Sequence, residues 1–122
     1  YFDVNGLKVV NDTQGHSAGD EMLCRAAKHI NCFFEGKGYR IGGDEFAIIM
    51  VEMTSDLKYT IEEKIKAVNE ELGTENENIP AVSLSVGVAF SDRENSGESI
   101  FKDADKALYY VKENGRNGCK FY

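Results

Sequence analysis

Two glycines followed by two carboxylates, Gly42-Gly43-Asp44-Glu45, stand between the apolar runs Tyr39-Arg40-Ile41 and Phe46 to Val51. Apolar runs around a Gly-Gly turn predict a β-hairpin. Glycine at both turn positions lets backbone approach a bulky ligand closely; an ordinary solvated turn is the plain alternative. Another carboxylate, Asp3, ends a strand-like start and precedes the turn signal Asn5-Gly6. Placed on neighbouring strands, Asp3 and Asp44 would bind a hard cation such as Mg²⁺, which prefers oxygen ligands and substrate phosphates. Sites for phosphoryl transfer commonly hold two such ions about 3.5–4 Å apart. Standing alone, Asp3 would read as a turn or cap residue.

Two further groups carry chemistry. Asn11 and Asp20 flank Gly15-His16, and both could face one cleft. An amide that donates and accepts, beside a carboxylate that accepts twice, suits a guanine edge. Against this, an acid near a helix N-terminus is favoured by the helix dipole alone. His16 reads as a structural hydrogen-bonding residue rather than a ligand. Lys112 and Arg116 lie at a helix end, where cations are favoured anyway; joined by Lys8, they would bind phosphate.

The elements that must position these groups follow from the apolar pattern. Tyr1 to Val4 reads as a strand end, and Leu7 to Thr13 as a short helix with Leu7 and Val10 on one face. Gln14-Gly15-His16 breaks that helix. Ser17-Ala18-Gly19-Asp20 resembles a capping box with Asp in place of Glu. It opens a helix that carries Met22, Leu23, Ala26, Ala27 and Ile30 at helical spacing. After the hairpin, Ile61, Ile65, Val68 and Leu72 form one stripe of a helix over Leu57 to Leu72. Asn76 to Pro80 reads as a polar loop. Val82, Leu84, Val86 and Val88 alternate as in a strand. Ser99 to Glu113 is the last long helix, with Ile100, Ala104, Ala107, Leu108 and Val111 inward, closed by Asn114-Gly115. Lys120 to Tyr122 suits an edge strand. The order β-α-α-β-β-α-β-α, with a final β, predicts an α/β sandwich, a sheet covered by helices.

The 122 residues fit one domain, and 42% hydrophobic with 29% charged is ordinary globular usage. A formal net charge of -7 argues against a nucleic-acid-backbone binder. It leaves room for a nucleoside triphosphate whose charge metal ions neutralise. Cys24, Cys32 and Cys119 have no Cys-x-x-Cys spacing. They predict a reduced, cytosolic chain with the thiols buried as small hydrophobes. No apolar run approaches membrane-spanning length. The start at Tyr1-Phe2-Asp3 is read as a fragment lacking upstream sequence.

Taken in order, these motifs resemble the GGDEF family, the diguanylate cyclases, and the resemblance implies an α+β sandwich of nucleotidyl-cyclase-like, ferredoxin-like type, with a central antiparallel-mixed sheet flanked by helices. The signature loop stands as Gly42 to Phe46. Asp3 to Asp12, Gly15-His16, Gly19-Asp20, Ser85-Val86-Gly87 and Ala104 to Tyr109 match the same pattern, so the resemblance covers essentially the whole chain, 1–122, as one catalytic domain truncated at its N-terminus. It implies a bacterial signalling enzyme that condenses two GTP into cyclic di-GMP and pyrophosphate, with Mg²⁺ or Mn²⁺, two ions per site. Asp3 and Asp44 would ligate metal with the Val4 carbonyl, and Asn11 and Asp20 would read guanine. Lys8, Lys112 and Arg116 would hold the triphosphate, with backbone at Gly6 and Leu7. Gly42 and Gly43 would let the nucleotide lie across the hairpin. Glu45 would be a metal-site acid or a helper in deprotonating the attacking hydroxyl.

The resemblance further implies a homodimer at turnover, an upstream sensor or regulatory domain, and no nucleic-acid or membrane contact. It places the domain in the cytoplasm, where a membrane-anchored protein would carry it equally well. A catalytically weak GTP-binding module of the same fold is the competing reading, and a cyclase acting on ATP a more distant one. One departure stands out. Where many members carry an Arg-x-x-Asp product-inhibition site, this chain has Phe33-Phe34-Glu35-Gly36. Those residues are expected to pack at the end of the second helix.

Overall fold

Strands of three to five residues present at most three side chains per face, so each needs helices to complete its core. The computed structural model, described over residues 1–74 and 81–122, shows how they are arranged. The elements are β1 (Phe2–Val4), α1 (Leu7–Gln14), α2 (His16–Phe33), β2 (Gly38–Arg40), β3 (Glu45–Ile48), a 3-10 turn (Ser55–Leu57), α3 (Lys58–Leu72), β4 (Leu84–Val88), α4 (Ile100–Glu113) and β5 (Gly118–Phe121). They form a five-stranded sheet in the order β2-β3-β1-β4-β5. β1 is antiparallel to both β3 and β4, β2 is antiparallel to β3, and β4 is parallel to β5. β1 and β2 thus run parallel on either side of β3, and β3 and β4 run parallel on either side of β1. These two interlocked split β-α-β units are the expected α+β architecture.

The pleat sorts the side chains. Phe2, Val4, Phe46, Leu84 and Val86 face one side and join Met22, Leu23, Ala26 and Ile30 of α2 with Ile61, Ile65, Val68 and Leu72 of α3 in the main core. Removing one of these, as in Ile65→Ala, is expected to cost about 2–5 kcal/mol. The opposite face carries Asp3, Ser85 and Gly87 and meets α4. A Cβ on Gly87 would stand 2.0 Å from the Ala104 carbonyl oxygen and 2.4 Å from the Leu108 nitrogen. Glycine therefore lets α4 lie directly on the backbone of β4. Antiparallel pairing puts the C-terminal end of β1 beside the N-terminal end of β3, so the β1–α1 loop and the hairpin turn share one end of the sheet.

Several local expectations are corrected. α2 starts at His16 behind Gly15 with no side-chain cap, so Ser17 lies within the helix and makes no capping box. His16 is exposed and makes no side-chain hydrogen bond among the described residues. β3 stops at Ile48 because Gly38, its partner, begins β2. Ile49 and Val51 are left 73% and 81% exposed. In α4 the inward stripe is Asp103, Ala107, Leu108 and Val111. Ile100 sits at the exposed first turn, and Ala104 is half-buried. Asp103 is tolerated inside because Arg93 reaches it at 2.6 Å and the Gly97 N–H donates to it at 2.9 Å. Cys24 and Cys32 are exposed and Cys119 half-buried; the first two occupy the outward stripe of α2. The polar loop expected at Asn76 to Pro80 falls outside the described residues.

Phe33 and Phe34 do pack at the end of α2: Phe34 is buried, with its ring edge-on to Phe2 at 5.7 Å. Among the described residues no helix is long and apolar enough to cross a membrane.

Candidate active site

Asp3 is the middle residue of β1, on the face opposite Phe2 and Val4, and only 3% exposed. It stands directly across from Glu45 of β3 and Ser85 of β4. Asp44, one residue before β3, is fixed by its backbone, because the Val4 N–H donates to the Asp44 carbonyl at 2.8 Å. Asp3, Asp44 and Glu45 each offer a carboxylate oxygen, all within 4.8 Å of one another. Three acids this close repel unless a cation offsets them. Lys112 of α4 supplies one, with its Nζ 2.9 Å from Asp3 Oδ2. The donor set is all oxygen and partly buried, which fits a hard divalent cation.

Burial and two of these acids act on Tyr1. Its phenol is pushed up to about 12 by desolvation, by hydrogen bonding and charge from Glu45, and by the charges of Asp105 and Asp3. A cleft of about 290 Å³ opens between the sheet and α4, lined by Asp3, Glu45, Asp105, Lys106, Tyr109 and Lys112. Tyr1, Asp105 and Tyr109 escaped the sequence reading as site residues. For the latter two a signal existed: Asp105, Tyr109 and Lys112 recur at the i, i+4, i+7 spacing of one helix face.

Around the acids lie the two loops. Asn5 fastens the β1–α1 turn to β4: its Nδ2 donates to Ser83 Oγ at 2.9 Å, and Ser85 Oγ donates to its Oδ1 at 2.9 Å. Gly6 then adopts φ 80 and leads into α1, whose first turn has no side-chain cap, so its N–H groups stay open to an anion. Leu7 packs against the core, while Lys8 is exposed on the same turn. In the hairpin turn, Arg40 Nε donates to the Gly42 carbonyl at 3.1 Å and its Nη2 to the Gly43 carbonyl at 2.7 Å. The two glycines differ. A Cβ on Gly42 would stand 2.5 Å from Glu45 Oε2, whereas one on Gly43 would meet nothing within 4 Å. Gly42 thus makes room for Glu45, and Gly43 leaves an open backbone.

Asn11 is half-buried on α1, against α2. Asp20 is exposed at the fifth position of α2, past its N-cap. Arg116 follows α4 at φ 58 and is exposed. Neither Lys8 nor Arg116 is in an ion pair among the described residues. The fold therefore gathers Asp3, Val4, Asp44, Glu45 and Lys112. It leaves Lys8, Asn11 and Asp20 on the surrounding helices and Arg116 in the segment between α4 and β5.

Comparison with known proteins matches residues 1–118 to a family model described as diguanylate cyclase, GGDEF domain. Diguanylate cyclase DgcM of Escherichia coli K12 is 33% identical over 118 residues, covering 95% of this chain and 28% of that protein. Probable diguanylate cyclase DgcI of the same strain is 39% identical over 123 residues, covering 94% and 25%. The chain thus spans about a quarter of the length of these relatives. Among solved structures, the GGDEF domain of DgcB from Caulobacter crescentus, in complex with c-di-GMP, superposes with a TM-score of 0.82 at 29% identity, covering 98% of this chain and 74% of that one. The active GGEEF domain of a diguanylate cyclase from Vibrio cholerae gives 0.82 at 28%, covering 99% and 79%.

Proposed function

The chain belongs to the GGDEF domain family of diguanylate cyclases, and from that premise we propose that it condenses two GTP into cyclic di-GMP and two pyrophosphates. The 3′-oxygen of one GTP forms a bond to the α-phosphorus of the other. The bond from that phosphorus to the β-phosphate oxygen breaks, pyrophosphate leaves, and the hydroxyl proton passes to a base. A second such attack closes the ring. Each domain supplies one half-site, so two domains facing each other complete the reaction, and their approach is a natural control point for an upstream sensor domain. Catalysis is then chiefly positioning.

The observation that carries this reading is the triad of carboxylate oxygens from Asp3, Asp44 and Glu45 within 4.8 Å. Asp3 and Asp44, with the Val4 carbonyl, would hold Mg²⁺ or Mn²⁺, two ions per site. When bound, such ions neutralise charge on the triphosphate and acidify the attacking hydroxyl. Glu45 either completes that donor set or takes the proton. Lys112, Lys8 and Arg116 neutralise phosphate oxygens, and the open N–H groups at Gly6 and Leu7 donate to them. Gly42 and Gly43 let the nucleotide lie across the hairpin, and Asn11 and Asp20 read the guanine edge. The test is direct: the intact protein is incubated with GTP and Mg²⁺ and the product identified by mass spectrometry. Cyclic di-GMP supports the proposal, and unaltered GTP contradicts it.

A further inference from the structure

We propose that Gly19 is a specificity-determining residue: by lacking a side chain it makes the seat in which the Asn11 amide is held for the base. The inference rests on the reading of Asn11 and Asp20 as the guanine-recognising pair. Gly19 is the fourth residue of α2, buried, and next to Asp20. A Cβ there would stand 1.8 Å from Asn11 Oδ1, 2.9 Å from Asn11 Cγ and 3.2 Å from Leu7 Cδ1. Non-bonded heavy atoms do not approach to 1.8 Å, so any larger residue excludes the present Asn11 rotamer.

Two contrasts separate this role from helix packing. Gly19 lies inside a helix, where glycine is the poorest residue after proline, and its backbone is not left-handed. Its conformation therefore gives no reason for glycine. At Gly87 the added Cβ would strike backbone atoms of α4, which cannot yield without moving the helix. At Gly19 it would strike side-chain atoms, the nearest being the tip of Asn11. Gly19→Ala should therefore keep α1 and α2 packed while turning the Asn11 amide out of place. The missing Cβ costs helix propensity and secures the orientation of one amide.

The test compares four forms of the intact protein: wild type, Gly19→Ala, Asn11→Ala and the double variant. GTP and ATP affinities are measured by calorimetry. The Asn11 side-chain NH₂ resonance is followed by NMR without nucleotide. Gly19→Ala should shift that resonance and lower the preference for GTP over ATP by about tenfold. In the Asn11→Ala background, where the amide is gone, the same change should alter the preference by less than about twofold. That double variant lacks the two nearest atoms and leaves only the flexible Leu7 Cδ1 at 3.2 Å, so it folds even if Gly19→Ala alone does not. An unmoved resonance, or an undiminished loss in the Asn11→Ala background, would overturn the seat. A shifted resonance in a protein that does not prefer GTP would instead sink the base assignment of Asn11 and Asp20.

Discussion

The Lys112 ammonium lies 2.9 Å from the Asp3 carboxylate, joining the end of α4 to the middle of β1 across 109 residues of sequence. The side chains are 33% and 5% exposed, so the pair is mostly shielded from solvent. Lys112 is the one cation paired with the acidic triad among the described residues. It therefore stabilises a cluster that would otherwise repel itself.

Lys112→Met is expected to destabilise the metal-free protein by about 1–2 kcal/mol. That is less than for a fully buried pair, because a third of the lysine is exposed. Added Mg²⁺ should raise the melting temperature of this variant more than that of wild type, since it replaces the lost positive charge. Melts in chelator and in Mg²⁺ measure both effects. Equal Mg²⁺ responses would show that Lys112 and the cation act on different groups.

Asp20 lies beyond the N-cap of α2 and is exposed. Its loss should therefore leave stability within about 0.5 kcal/mol of wild type. Asp20→Ala is expected to weaken GTP binding about tenfold. A lowered melting point with unchanged GTP affinity would make Asp20 structural.

Asp103 gives an acid limb to stability. Burial opposes its charge, but the Gly97 N–H and Arg93 hold its carboxyl below the usual carboxylate range. A depressed folded-state pKa stabilises above the unfolded value of about 3.9, and the gain is lost as pH falls through the folded value. Asp103→Asn should lower the melting temperature at neutral pH and flatten its fall below about pH 4. Parallel pH profiles for wild type and variant would contradict this.

Product inhibition should be weak and competitive. An anionic dinucleotide needs a guanidinium to pair with its phosphate or guanine. In the segment Phe33 to Gly36, Phe34 is buried against Phe2, and Glu35 would repel phosphate. Initial rates against rising cyclic di-GMP test this; strong non-competitive inhibition would reveal a separate allosteric site.

Much of this was legible in the sequence where a single periodicity decides the outcome. The stripe Ile61, Ile65, Val68, Leu72 is wholly buried, and the Gly-Gly turn does close a hairpin. What stayed hidden depends on partners distant in sequence. A charged residue such as Asp103 signals outward until Arg93, in a separate loop, neutralises it. The contact of Lys112 with Asp3 requires α4 to lie on Gly87, which helical spacing alone does not reveal. β3 and β4 are shorter than their apolar runs because a strand stops where its neighbours run out, not where its apolar residues do.

If Asp44 ligates the metal, its carboxylate is indispensable to turnover but not to folding. Wild type and Asp44→Asn, each shown to be folded by its thermal melt, are incubated with GTP and Mg²⁺ and assayed for cyclic di-GMP and pyrophosphate. Wild type should yield both, and Asp44→Asn should yield neither while melting within about 0.5 kcal/mol of wild type, as expected for a turn side chain with little packing role. Turnover by Asp44→Asn at the wild-type rate would contradict the metal-site assignment, and GTP binding without product in wild type would mark the domain as a non-catalytic nucleotide-binding module.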